Sequence, residues 1–250
     1  MIKPLCLTLS ILICFGCKKH NDKNLISNWK SYSIPTNPDT LEKYNHSSTE
    51  WMVFLKNDTV RVSDKIDSIV PSPPFPLKHN GRDKPSILKV EDGYLIGSYR
   101  GEWGGDLYWY SPDGTKNYKI SDDEIVQFIK KDGENYAIQG LSHLGMSEGG
   151  IIAIKKEKNR WVAKQYLNLS AAPDGIVLDS HKNFIVITSK GLLKINRNLQ
   201  IDTLTKKAIW FEMLYTNSLV MKNDVIYAGM RVGVYKYSLA TGKQEWLRPY

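Results

Sequence analysis

Beyond residue 50 the chain alternates short apolar runs with turn pairs such as Asp-Gly and Asn-Asp, and no long stretch keeps a helical period. Alternation over four to seven residues between such turns predicts strands joined as hairpins. The runs recur in phase. One set opens on glycine: Gly105-Asp-Leu-Tyr-Trp-Tyr, Gly150-Ile-Ile-Ala-Ile, Gly191-Leu-Leu-Lys-Ile and Gly233-Val-Tyr-Lys-Tyr, spaced by 45, 41 and 42 residues. A second set lies upstream of each: Tyr94-Leu-Ile-Gly-Ser, Tyr136-Ala-Ile-Gln-Gly, Phe184-Ile-Val-Ile-Thr and Val225-Ile-Tyr-Ala-Gly. A weaker third set opens each unit at Ile87, Ile125, Gly175 and Ser218. Strand positions repeating at roughly 40–45 residues are the mark of propeller blades. The physical reason is that one small sheet cannot cover both its faces, so neighbours must do it and a closed ring protects the edges. The predicted fold is therefore all-β, a small β-propeller. Four units span Ser86 to Tyr250, and Trp51 to about Ile69 adds a hairpin around Asn57-Asp58. That count favours five blades, with four blades plus an N-terminal hairpin, or an open solenoid, as alternatives.

The amino terminus follows a different pattern. Lys3 precedes an apolar run from Leu5 to Phe15 broken only by Thr8 and Ser10. As a helix it would reach ~16 Å, short of the ~30 Å hydrocarbon core, so it reads as a signal segment and not a span. It ends in Phe15-Gly16-Cys17 and turns abruptly polar at Lys18-Lys19-His20-Asn21-Asp22. A small residue, a cysteine and a polar switch resemble the lipobox of bacterial lipoproteins, although Cys14 and Phe15 replace the residues that family usually carries; an ordinary secretory peptide is the alternative. The resemblance implies removal of residues 1–16, diacylation of Cys17 with fatty chains such as palmitate, and a membrane lipid as its partner. With Lys18 and not Asp after the cysteine, it also implies the outer membrane over the inner. Cys6, Cys14 and Cys17 are the only cysteines, so the mature chain keeps one thiol and no internal disulfide, and lipidation removes that reactive group. Residues 17–50, polar and carrying Pro35 and Pro38, read as a lipidated N-terminus and flexible tether, with the propeller domain over 51–250.

Two stretches resemble propeller repeat families. Ser238-Leu-Ala-Thr-Gly-Lys-Gln-Glu-Trp246 is similar to the end of a PQQ-type, quinoprotein-like repeat. Pro173-Asp-Gly-Ile through Phe184 to Ile195 resembles the sensor propellers of two-component regulators. Together the resemblance covers about 86–250 and implies architecture, not activity, because such repeats serve enzymes, scaffolds and sensors alike. It implies no quinone cofactor, and no cofactor is expected.

Charge changes the picture little. Lys and Arg number 34 against 26 Asp and Glu, for a net charge of +8. The lysines are scattered among acids without an aromatic-interleaved stripe, so no nucleic-acid partner is expected. A monomer with a soluble surface fits best.

In a propeller the loops joining second to third strands, and those joining successive blades, emerge on one face. The most unusual is Tyr99-Arg100-Gly101-Glu102-Trp103-Gly104-Gly105-Asp106, echoed by Ser142-His143-Leu144-Gly145-Met146-Ser147-Glu148-Gly149. Shorter loops lie around Lys190 and Arg231, and the blade connections add Asp122-Asp123-Glu124, Asp174 and Glu212. Arg100 could grip a carboxylate or phosphate and Trp103 could stack on a sugar or aromatic group. The candidate ligand-binding residues are Arg100, Glu102, Trp103, Asp106, His143, Glu148 and Arg231. The plain reading makes Glu102 and Arg100 an ion pair and packs Trp103 between blades. The Asp-Gly pairs at Asp92, Asp113, Asp132 and Asp174 read as turn formers, not calcium ligands. The five histidines are dispersed, no cysteine remains for zinc, and no nucleophile elbow or phosphate loop is present. No catalytic residue and no metal site is therefore assigned. The leading function is an envelope-anchored module binding a protein, peptide or glycan. The alternatives are a glycan hydrolase using Glu102, Asp106 or Glu148, an immunity or inhibitor protein, and a scaffold subunit of an envelope assembly.

Overall fold

The computed structural model describes residues 24–64, 72–77, 85–210 and 213–249. Cys17 and the signal segment lie outside these residues, as does Glu212. The three in-phase strand sets are the inner three strands of four antiparallel sheets. The first sheet holds β4 (Ser86–Val90), β5 (Gly93–Tyr99), β6 (Gly105–Tyr110) and β7 (Asn117–Ser121). The second holds β8 (Ile125–Lys131), β9 (Glu134–His143), β10 (Met146–Glu157) and β11 (Arg160–Leu169). The third holds β12 (Pro173–Leu178), β13 (Phe184–Thr188), β14 (Gly191–Ile195) and β15 (Ile201–Thr205). The last holds β16 (Ser218–Lys222), β17 (Val225–Gly229), β18 (Val234–Ser238) and β19 (Gln244–Arg248), extended by β1 (Lys30–Tyr32) at its outer edge. A separate hairpin, β2 (Met52–Lys56) with β3 (Thr59–Ser63), sits beside β16 where a fifth sheet would stand.

The architecture is a propeller, and its packing shows why. Among the described residues the apolar side chains form four clusters, most of them between sheets. Leu95, Leu107, Ile125, Ile152 and Trp161 fill the space between the first and second sheets; Tyr136, Ile151, Ile176 and Phe184 fill the next. Ile187, Leu192, Ile226 and Tyr235 join the third sheet to the last, and Val53, Val62, Val234 and Leu247 join the hairpin to it. Each sheet thus borrows its core from its neighbours.

Side chains also tie the inner strands together. Ser86 Oγ donates to the Val126 carbonyl at 3.1 Å, linking β4 to β8. The Gln127 amide mimics a peptide: Nε2 donates to the Ile176 carbonyl at 2.9 Å and Oε1 accepts from Ile176 N at 3.0 Å, linking β8 to β12. Ser218 Oγ accepts from Val53 N at 2.8 Å, linking the hairpin to β16. Gly97 lets β5 approach β8, because a Cβ there would lie 2.3 Å from Ile125 Cβ.

The tether expected over 17–50 is in part folded structure. After a 3₁₀ turn at Ile26–Asn28, β1 pairs with β19 and joins the chain's start to its last sheet. Helix α1 (Pro38–Asn45) follows, with Asn37 Oδ1 accepting from Thr40 N at its start and proline in the first turn. Tyr44 stacks on Trp246 and its hydroxyl accepts from Arg248 Nη1 at 2.9 Å. A few anchors, Trp29, Leu41 and Tyr44, hold a segment whose composition is otherwise that of a linker.

Candidate functional site

The loops expected on one face do meet there. A cavity of about 1090 Å³ lies on the ring axis, walled below by the inner strands β2, β4, β8, β12 and β16. Its mouth is formed by Tyr99, by Ser142, His143 and Leu144 of the β9–β10 hairpin, by Ala172 to Asp174, by Ser189, and by Trp210 and Tyr215 to Asn217.

Of the seven candidate ligand-binding residues, the structure gathers five at one edge of this mouth. The turn Gly101–Trp103 is closed by Gly104 N donating to the Gly101 carbonyl at 2.9 Å, and positive φ angles at Gly101 and Gly104 explain the two glycines. Arg100 Nη1 donates to Asp106 Oδ2 at 2.6 Å and to Ser98 Oγ at 2.9 Å, and Lys119 holds the other oxygen of Asp106. Burial opposes ionisation of Asp106, but hydrogen bonds from Lys119 and Arg100 outweigh it and hold the carboxyl below its ordinary range. The Arg100–Glu102 pair foreseen from sequence is replaced by Arg100–Asp106, while Glu102 Oε2 lies 3.0 Å from His143 Nε2 on the adjacent sheet. Trp103 does not pack between sheets; it is 74% exposed. With Leu144 at 86% and Met146 at 62% it gives this edge its exposed apolar side chains.

Two candidates stand apart. Glu148 is exposed on β10, next to Ser147, whose hydroxyl lies 2.7 Å from that of Ser189; strand alternation turns the two to opposite sides. Arg231 is a structural clamp. Its Nη1 donates to the carbonyl and Oδ1 of Asn45, both at 2.7 Å, its Nε donates to Glu50 Oε1 at 3.2 Å, and its guanidinium lies 4.7 Å over the Tyr215 ring.

Asp174 has the most chemical potential: its place in a blade connection on the loop face holds, and the turn expected of its Asp-Gly pair does not form. Asp92, Asp113 and Asp132 do sit in turns, but Asp174 is the extra residue of a bulge in β12: Pro173 pairs with Thr188 and Gly175 with Ile187. The bulge places Asp174 at the channel mouth, where its carboxyl is deeply enclosed, keeps partial exposure, and lines the cavity. It has no hydrogen-bond partner among the described residues, and burial pushes its pKa up to about 7. Glu124 occupies the matching place before β8. Its Oε2 is buried without a partner, and burial raises its pKa against the pull of Arg100. The Tyr99 hydroxyl is raised by burial and by the fields of both carboxylates. Across the mouth, Thr216 Oγ1 and Asn217 Nδ2 are likewise buried and unpartnered. Buried polar atoms are nearly always satisfied, so this concentration at one opening is the signature of a place where something else supplies the partners. Among the described residues no three His, Cys, Asp or Glu side chains converge to hold a metal ion.

No protein-family model matches the chain, and no curated protein matches it. Several solved structures are similar in fold. A gluconolactonase of Xanthomonas campestris shares 12% identity over 66% of this chain and 57% of its own, with a TM-score of 0.43. A puromycin-hydrolysing peptidase of Mycobacterium tuberculosis shares 13% over 88% of this chain and 38% of its own, at 0.46. The extracellular domain of a protein described as a hybrid two-component system of B. thetaiotaomicron shares 13% over 67% and 29%, at 0.34. The chain spans little more than half of the first and about a third of the others. These likenesses concern architecture alone, so function is argued from the mouth of the channel.

Proposed function

We propose that this protein is a lipoprotein of the cell envelope, anchored through Cys17, whose propeller receives a ligand at the loop-face mouth of its central channel. The anchoring reading is supported by the short apolar run ending in Gly16-Cys17 and its polar switch. By resemblance the outer membrane is its site. The binding reading is carried by one observation: a cavity of about 1090 Å³ whose rim holds the Asp174 carboxyl without a protein partner among the described residues. The apolar clusters lie between sheets and leave this carboxyl for a protein, peptide or glycan partner to complete. A hydrolytic role for Asp106 is not favoured, because a carboxylate held ionised between two cations is a poor general acid.

Capture tests the reading. Detergent-extracted full-length protein is immobilised and challenged with envelope extract, in parallel with Asp174→Asn and Trp103→Ala. A bound species that the wild type retains and both variants lose supports a site at this mouth. Undiminished capture by both variants refutes it. Radiolabelled palmitate should enter the wild type and not Cys17→Ser; equal labelling would remove the anchor.

A further inference from the structure

The charge at the channel mouth is out of keeping with the rest of the molecule. The chain carries 34 Lys and Arg, yet among the described residues none of them lines the cavity. Its ionisable lining groups are Asp174, His143, Tyr99 and Tyr215, with Glu124 behind Tyr99. Three nearby cations are engaged: Arg100 by Ser98 and Asp106, Lys119 by Asp106 and Asp122, and Arg231 by Asn45, Glu50 and the face of Tyr215. His143 faces Glu102. Asp174 is thus an enclosed carboxyl for which the fold provides neither cation nor hydrogen-bond donor. An enclosed charge without a partner is costly, and a cation arriving from outside would relieve that cost. The remaining walls suit a carbon body. Tyr99 and Tyr215 stand at the mouth, and Phe128, Val126 and Leu219 continue inward. Aromatic faces next to a carboxylate favour an organic cation over a hydrated metal ion.

We infer that the cavity takes an organic ammonium ion, its cationic head on the Asp174 carboxylate and its carbon body along Tyr99, Phe128 and Leu219. The inference rests on the reading of the loop face as a ligand site and specifies its chemistry. A small free amine and the amino terminus of a peptide offer the same head group.

The test uses detergent-extracted full-length protein and isothermal titration at pH 8, with three probes that share a phenyl-ethyl body: phenethylamine, phenethyl alcohol and 3-phenylpropanoate. The amine should bind at least about tenfold more tightly than either analogue. Asp174→Asn should weaken the amine about 10- to 100-fold, the loss of one charge-assisted hydrogen bond, and leave the alcohol unchanged. Lowering the pH from 8 to 6 should weaken the amine for the wild type by about tenfold as the carboxyl takes up its proton. His143→Gln, run alongside, should keep that pH dependence. A dipeptide amide with a free amino terminus, compared with its acetylated form, separates the two sources; binding of the free form alone assigns the head group to a peptide end. Equal binding of the neutral or anionic probe, an Asp174→Asn variant that binds the amine unchanged, or no binding of any amine overturns the assignment. The capture experiment above reads the loop face independently, so failure of the amine does not count as failure of the site.

Discussion

Replacing Asp174 with asparagine should stabilise the protein in mildly alkaline solution and change it little in acid. In the unfolded chain this carboxyl ionises at its ordinary value of 3.8, whereas burial at the bulge raises it to about 7. Between those values the folded protein holds a proton that the unfolded chain has released, so stability contributed by this group is intact below about pH 4 and is lost as pH rises toward 7. The gap of about 3 pH units, at 1.36 kcal/mol each, amounts to about 4 kcal/mol of destabilisation above pH 7. Water in the cavity and local relaxation reduce that, so a gain of about 2–4 kcal/mol is expected for Asp174→Asn at pH 8. Asparagine keeps the shape and removes the charge. Urea unfolding of both proteins at pH 4.5 and pH 8 measures it, and the quantity of interest is the difference between them, because depressed carboxyls such as Asp106 and Glu245 act in the opposite sense on both. A difference that does not grow with pH, or an asparagine variant less stable than the wild type at pH 8, would refute the enclosed-carboxylate argument. A residue whose removal stabilises the fold is the kind retained for binding.

Two further substitutions probe the frame around the site. Asp92 accepts from Trp109 Nε1 at 3.1 Å, Trp161 Nε1 at 3.0 Å and Lys156 Nζ at 2.6 Å, pinning the first sheet to the second. Asp92→Ala strands two indole donors and should cost about 2–4 kcal/mol by urea unfolding, with Asp92→Asn costing less; equal, small losses would show that the indoles find other partners. Arg231→Ala should lower hydrogen-exchange protection across residues 38–45, since the C-terminal end of α1 loses its clamp, while phenethylamine affinity stays unchanged. Lost affinity with intact protection would return Arg231 to the ligand site.

The repeat phase made most of the fold legible. Gly105, Gly150, Gly191 and Gly233 lie at or beside the third strand of successive sheets because that strand is sandwiched between neighbours and its apolar alternation cannot be spared. The hairpin at Asn57-Asp58 was legible from its turn pair between two apolar runs. What composition hid was residues 24–50, where β1 needs only backbone pairing with β19 and α1 is held by scattered contacts from Tyr44 and Arg231. The loop face was legible from topology, but its unusual residues drew attention to the wrong chemistry. Arg100, Asp106 and Lys119 neutralise one another, a fact set by side-chain reach and absent from spacing. The Asp174-Gly175 pair reads as a turn while the blade connection puts Asp174 on the loop face, and only the second holds. Asp174, at the bulge that opens β12, matches Glu124 just before β8, so the repeat phase puts both acids where the chain enters an inner strand.

That shared position also explains why the ring can tolerate them. Stability resides in the clusters between sheets and in the Ser86, Gln127 and Ser218 links, none of which uses the side chain of Asp174 or Glu124. The entry to an inner strand is where the chain has just crossed from one sheet to the next, and a bulge there shifts no outer-strand register beyond its own pair. An acid at that point alters little of the packing while projecting its charge into a space bounded by several sheets at once. Exposed Trp103, Leu144 and Met146 lie at the edge of the same opening, on loops whose backbone is fixed by Gly101, Gly104 and Gly145 and not by those side chains. The rim and the acids are therefore free to be chosen for a ligand, whereas the sheets beneath them are not.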